Sequence, residues 1–526
     1  MKTGKNIRFL VPSVFLALVF FYSSQLKALE YCQNAWSEEV RFSDGSTGDQ
    51  VDWLFRAAIL DLSAKQHGFA QNIRLERGVL AQKLFYPAAY IDENGHGVVL
   101  IDDKFLRPLC IFVVMDYIYN DDQIIGADVY SGAYQAVEDC GARQYSFLQC
   151  LSEFTETAAR LIAPHYNNLD DKRKGLLNNF LSSALYQIIA HELAHIVLDH
   201  SNKIAEQKML RIDAEFEADL AAIVSSLQTG RIHTALAYFF GPLSAFHQAT
   251  GFQTSNHYES LECRNKNVAD VAMVGGAALF FQSFATGEAT TSNMNMREAM
   301  ESILSTTGAA DESRFEDVGC GRLKGETLLA IRQEIRTMGN FLVDNFELFR
   351  GIEPETEGVR MGVQFSSPNT IVAILDLIDQ SPNLSPALSR TLSMYLQRAT
   401  QMDEFEIDDQ LEDRILRTAY DVGSSQTYGR TLAALAFRYI GPDGSPTNRD
   451  RAVDLFEEAV VFNPWISEAY VNLAMILFTD GKCEIARRHA ARSYFTANEG
   501  FAKESSASVF NIINSRIEAQ EAPCNL

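Results

Sequence analysis

Two histidines and a glutamate in His191-Glu192-Leu193-Ala194-His195, followed twenty residues later by Glu215-Phe216-Glu217-Ala218-Asp219, have the types and spacing to hold a metal ion and to work a water beside it. Positions four apart on a helix lie one turn above each other on the same face, so His191 and His195 can share one ion. Glu192 sits about 100° around the axis from His191, poorly placed as a ligand but near enough to act as a general base on water. A catalytic zinc takes three protein ligands and keeps a fourth position open, and a His, His, Glu set meets that need. Metzincins would place Gly and His three and six residues past the second histidine; Leu198 and Ser201 stand there, which excludes that class. The expectation is one Zn2+ per chain, held by His191, His195 and Glu215. Asp219, one turn beyond Glu215, is expected to accept a hydrogen bond from a ligating histidine and fix its tautomer. Glu217 is the competing ligand, although two residues from Glu215 it faces elsewhere on a helix. His200 reads as a solvated helix-end residue and stays out of the site.

The elements that must position these groups are helices. Neither Gly nor Pro interrupts Leu176 to His200, and Leu181, Ala184, Leu185, Ile188, Ile189, Ile196, Val197 and Leu198 flank the histidines. Ile212 to Ile223 carries good helix formers with apolar residues at helical spacing, so it can face the first helix.

The two motifs resemble the gluzincin metallopeptidases of the HtpX and CAAX-prenyl-protease type, whose second motif is ExxAD and whose secreted bacterial members often carry C-terminal tetratricopeptide repeats. The resemblance implies the same roles for His191, His195, Glu215, Glu192 and Asp219. It also implies a strand and hairpin before the active helix, matched by Pro87 to Ile91 and Gly97 to Ile101, whose edge would take substrate as an added strand. Residues from about Asp102 to Asn178 separate that edge from the helix, a longer interval than in the family. A later histidine and arginine help to stabilise the tetrahedral intermediate in the family, and His257 and Arg264 would be their counterparts; Tyr258 stands where the family's proline usually follows.

Lys2, Lys5 and Arg8 precede an apolar run from Phe9 to Phe21, which reads as a secretory signal with a cleavage site after Ala28. Periplasmic or secreted localisation is expected, with an uncleaved N-terminal anchor as the alternative. Leu29, Glu30 and Tyr31 before Cys32 do not suit lipoprotein processing. The eight cysteines all lie beyond this segment, consistent with disulfides, and Cys140 with Cys150 is the first pair to expect. The net charge of −23 becomes −27 once Lys2, Lys5, Arg8 and Lys27 are lost, which argues against nucleic acid as a partner.

The expected architecture is mainly α with a small β-sheet, an α+β zincin-like peptidase domain followed by α-helical repeats. The boundaries read as 1–28 signal, 29–345 metallopeptidase, 346–430 helical connector, 431–515 repeats and 516–526 tail. Within the peptidase region, runs near Phe85 to Ile101 and Ile111 to Ile118 look strand-like. Val271 to Phe281 reads as buried core rather than a membrane span, and Gly287 to Glu316 as a surface excursion or lid. Ile371 to Ile378, Leu388 to Met402 and Asp408 to Val422 are candidate helices. Ala436, Tyr439, Ala452, Phe456, Ala459 and Pro464, then Tyr470, Leu473, Ala474, Leu477, Ala486 and Ala490, occupy tetratricopeptide-like positions whose concave face would suit a protein partner. The expected function is a zinc endopeptidase of protein or peptide substrates, with envelope protein quality control implied by resemblance alone. The alternative is an adaptor or chaperone whose zinc site is largely latent.

Overall fold

The computed structural model describes residues 31–250 and 368–524, apart from short stretches within them. In chain order, a short ladder of β1 (Val40–Arg41) and β2 (Thr47–Gly48) leads to α1 (Gln50–Leu60) and the single turn α2 (His67–Ala70). Strands β3 (Arg74–Gly78), β4 (Ala88–Ile91) and β5 (Gly97–Asp102) follow, then α3 (Asp103–Asp121), α4 (Gln123–Gln135), α5 (Phe147–Asn168), α6 (Asp171–Val197), α7 (His200–Ala205) and α8 (Arg211–Gln228). The later helices are α9 (Pro368–Gln380), α10 (Pro386–Thr400), α11 (Asp409–Val422), α12 (Ser425–Arg438), α13 (Arg449–Phe462), α14 (Ser467–Thr479), α15 (Cys483–Thr496) and α16 (Phe501–Glu518). The protein is thus mainly α with a small β component, as expected.

The described residues fall into two compact units. The first holds 31–38, 74–226 and 231–250; the second holds 39–73, 227–229 and 368–524. The linear reading assigned 39–73 to the peptidase region, whereas here they share a unit with the C-terminal helices. Trp53 stacks on Trp465 and the backbone of Ser63 bridges to Ser424.

In the first unit the sheet order is β3-β5-β4, with β3 parallel and β4 antiparallel to the central strand. Strand β5 is buried along its whole length, which explains its unbroken Val98-Val99-Leu100-Ile101 run. The turn from β4 to β5 is organised by Asp92, whose carboxylate accepts from the amides of Asn94 and His96, and by Gly95 in the left-handed region at φ 81°. Helix α3 packs on α4, α5, α6 and β5. Its core side is aromatic: Phe112 meets Phe154 and Phe239, and Phe154 meets Tyr134 and Phe246. The strand expected at Ile111 to Ile118 is corrected here, since those residues lie inside α3. A helix buried on every side has no polar face, so its sequence loses the 3.6-residue period that would mark it.

Disulfides join Cys32 to Cys110 and Cys140 to Cys150 in this unit, and Cys483 to Cys524 in the second. Cys263 and Cys320 lie outside the described residues.

In the second unit, sequential helices pack as neighbours: α9 on α10, α12 on α13, α13 on α14, α14 on α15 and α15 on α16. Small residues at the contacts, Ala436, Ala452, Ala459, Ala474, Ala486 and Ala490, are all buried. Gly429 is required between α12 and α13, because a Cβ there would stand 2.9 Å from the Ala459 carbonyl oxygen and 2.7 Å from Asn463 Cβ. Among the described residues no helix is long and apolar enough to cross a membrane. The expected signal, Val271 to Phe281 and Gly287 to Glu316 lie outside those residues.

Candidate metal centre

The site is built on two helices of the first unit. Asp170 caps the start of α6 by accepting from the Arg173 amide at 2.8 Å, and the helix then runs through apolar core to the histidines. The buried Tyr186 hydroxyl is 2.7 Å from Ser225 Oγ, which ties α6 to α8 about one and a half turns before the histidines. With that link made, Glu215 and Asp219 of α8 meet His191 and His195 of α6.

His191 Nε2 lies 3.0 Å from His195 Nε2 and 3.3 Å from Glu215 Oε2, and His195 Nε2 lies 3.7 Å from Glu215 Oε1. A tetrahedral zinc with bonds near 2.0–2.1 Å spaces its ligand atoms about 3.3 Å apart, so the donor triangle has the right size. The donor chemistry fits as well, two imidazoles and one carboxylate, and all three residues keep a ligand atom within 4.8 Å of the others. Asp219, only 1% exposed, places Oδ1 2.9 Å from His191 Nδ1. A carboxylate at that distance favours the tautomer with the proton on Nδ1, which leaves the lone pair on Nε2. Glu192 is buried on the same helix, next in sequence to His191.

Sequence reads His200 as a solvated helix-end residue rather than a ligand; the structure corrects the solvation. The residue is 1% exposed, with Nδ1 2.8 Å from His195 Nδ1 and Nε2 3.2 Å from Glu217 Oε2. Burial holds its imidazole pKa below the usual value, against the opposing pull of Glu217. The cause of the misreading is local. Helix α6 ends at Val197, and Asp199 adopts the left-handed conformation at φ 55°, a state that Asp tolerates better than most residues. The chain turns there and brings His200 back beneath His195, which a continuous helix could not do at a spacing of five. An Asp directly after an apolar helix was the available signal. Glu217, weighed by sequence as a competing ligand, is engaged with His200. His257 and Arg264 lie outside the described residues.

Strand β4 is an edge of the sheet and packs against α6. Its Tyr90 and Ile91 are exposed.

Residues 111–267 match the Peptidase U49 family model. The match spans α3 to α8 and so contains the whole donor triangle, and it supports a peptidase. This match does not support the HtpX and CAAX-prenyl-protease type that the motifs resemble. No curated protein and no solved structure matches the chain.

Proposed function

We propose that this chain is a zinc-dependent endopeptidase that cleaves protein substrates in an oxidising compartment outside the cytoplasm. The observation that carries the reading is the His191, His195, Glu215 triangle, sized for one tetrahedral ion and backed by the buried Asp219 carboxylate. These three residues would hold the zinc. When bound, zinc supplies Lewis acidity to water and to the scissile carbonyl. Glu192 takes a proton from the attacking water and returns it to the leaving amine, a role suited to a carboxylate held beside the ligands by a rigid helix. The exposed edge of β4 receives the substrate backbone as an added strand. His257 and Arg264 are proposed as donors to the developing oxyanion, on the family resemblance alone. The three disulfides support the compartment. Alternating buried alanines in α12 to α15 support tetratricopeptide-like repeats that dock a protein partner.

The test is Glu192→Gln in the full chain, assayed on a dye-labelled denatured protein with bound zinc measured in parallel. Loss of general-base catalysis should cut turnover by about 10²–10⁴-fold while one zinc per chain remains. Undiminished cleavage by this variant, or a wild-type protein indifferent to chelators, would overturn the reading.

A further inference from the structure

Each zinc-facing imidazole is supported from behind, but by different means. His191 rests directly on Asp219, through its Nδ1. At His195 the neighbour of Nδ1 is a second imidazole, His200, which in turn meets Glu217. We infer that His200 and Glu217 are positioning residues that fix the tautomer and ring orientation of His195, so that its Nε2 is the nitrogen offered to the metal. This inference rests on the zinc reading above.

The hydrogen-bond directions follow from the end of the chain. An ionised Glu217 only accepts, so His200 Nε2 must carry the proton and donate to it. A neutral His200 then has a bare Nδ1, which can only accept. His195 Nδ1 therefore donates, and its remaining nitrogen, Nε2, is left with a free lone pair. That nitrogen is the one 3.0 Å from His191 Nε2 and 3.7 Å from Glu215 Oε1. His200 is not a fourth ligand, because it contacts the far side of the His195 ring from the donor triangle. The order Glu217, His200, His195 thus reproduces at one remove what Asp219 does for His191. The ring of His200 is edge-on to that of His195, with centroids 4.9 Å apart and planes at 76°, so it also limits rotation of the ligand. The left-handed Asp199 makes the arrangement available by turning the chain between the two histidines.

The inference is tested by zinc affinity, measured by competition with a chromophoric chelator, in three variants of the full chain alongside wild type. His200→Asn keeps an oxygen near the Nδ1 position and can still accept from His195. His200→Phe keeps the volume and the buried ring but offers no acceptor. Glu217→Ala removes the end of the chain from a partly exposed position, where the fold tolerates truncation. Loss of an outer hydrogen-bond partner of a metal-bound histidine costs about 10–100-fold in metal affinity. His200→Phe should show such a loss, Glu217→Ala a smaller one, and His200→Asn should recover most of the wild-type affinity. A purely packing role predicts the reverse order, with Phe better than Asn, and that order would overturn the inference. So would unchanged affinity in both His200→Phe and Glu217→Ala. A wild-type chain that binds no zinc sinks the metal reading itself, and this result is distinct because it precedes any difference among the variants. Should His200→Phe fail to fold, Glu217→Ala alone decides: affinity equal to wild type overturns the inference, and a several-fold fall supports it.

Discussion

The two units spend their buried polar groups differently. In the first, His191, Glu192, His200 and Asp219 are all buried, and His191 and Asp219 meet at 2.9 Å. In the second, the core is aliphatic and alanine-rich, and one of its buried carboxylates, Glu412, is satisfied by Arg451 and by the Tyr439 hydroxyl at 2.8 Å. Burying charge costs free energy unless every partner is present, so a core gathers imidazoles and carboxylates where chemistry requires them. A core of Leu, Phe and Ala serves stability and shape. On the proposed reading the first unit would carry the reaction, and the second would serve stability and shape.

The contrast can be broken most sharply from the second unit. Phe456 is fully buried between helices, edge-on to Phe437. Phe456→Ala should cost about 3–5 kcal/mol of stability by leaving a cavity. Denaturant unfolding would measure this, with zinc affinity expected within twofold of wild type; a matching fall in affinity would mean that the units do not divide the work. Asp219→Ala is the converse experiment. It leaves His191 without its carboxylate and should weaken zinc binding by about 10–100-fold, as read by chelator competition.

A milder probe is pH. Burial first, then Arg492 and Arg488, depress the His489 imidazole to about 4 from its usual 6.5. Its neutral form is thus the one the folded state favours, while the unfolded chain takes up a proton below about 6.5. Stability of the second unit should be full above that pH and fall as pH drops towards about 4. His489→Gln should flatten that part of the profile in thermal melts at stepped pH, and an unchanged profile would refute the assignment. The smallest effect is expected on the surface, where Arg414 bridges Asp376 at 2.7 Å and Asp379. Arg414→Ala should cost no more than about 1 kcal/mol and less in high salt.

Local pattern made the site helix and the hairpin legible. The uninterrupted run before His191 foretold α6, and Pro87 to Ile91 with Gly97 to Ile101 foretold β4 and β5. The relation of Glu215 and Asp219 to the histidines could be expected because i and i+4 share a helix face. Three things escaped for identifiable reasons. Ile111 to Ile118 is helical although β-branched and aromatic, and near-complete burial erased the periodicity that would have marked it. His200 depended on one left-handed residue, Asp199, which redirected the chain. Residues 39–73 joined the C-terminal helices through contacts such as Trp53 with Trp465, which no local window contains.

That last feature bears on how the polypeptide is made. The stretch carrying α1 and α2 leaves the ribosome roughly 350 to 400 residues ahead of its later partners, so Trp53 and Ala64 must wait without their final neighbours during synthesis. A rule for dissection follows: cutting the gene just before α9 would strand that arm on one fragment and leave a gap on the other.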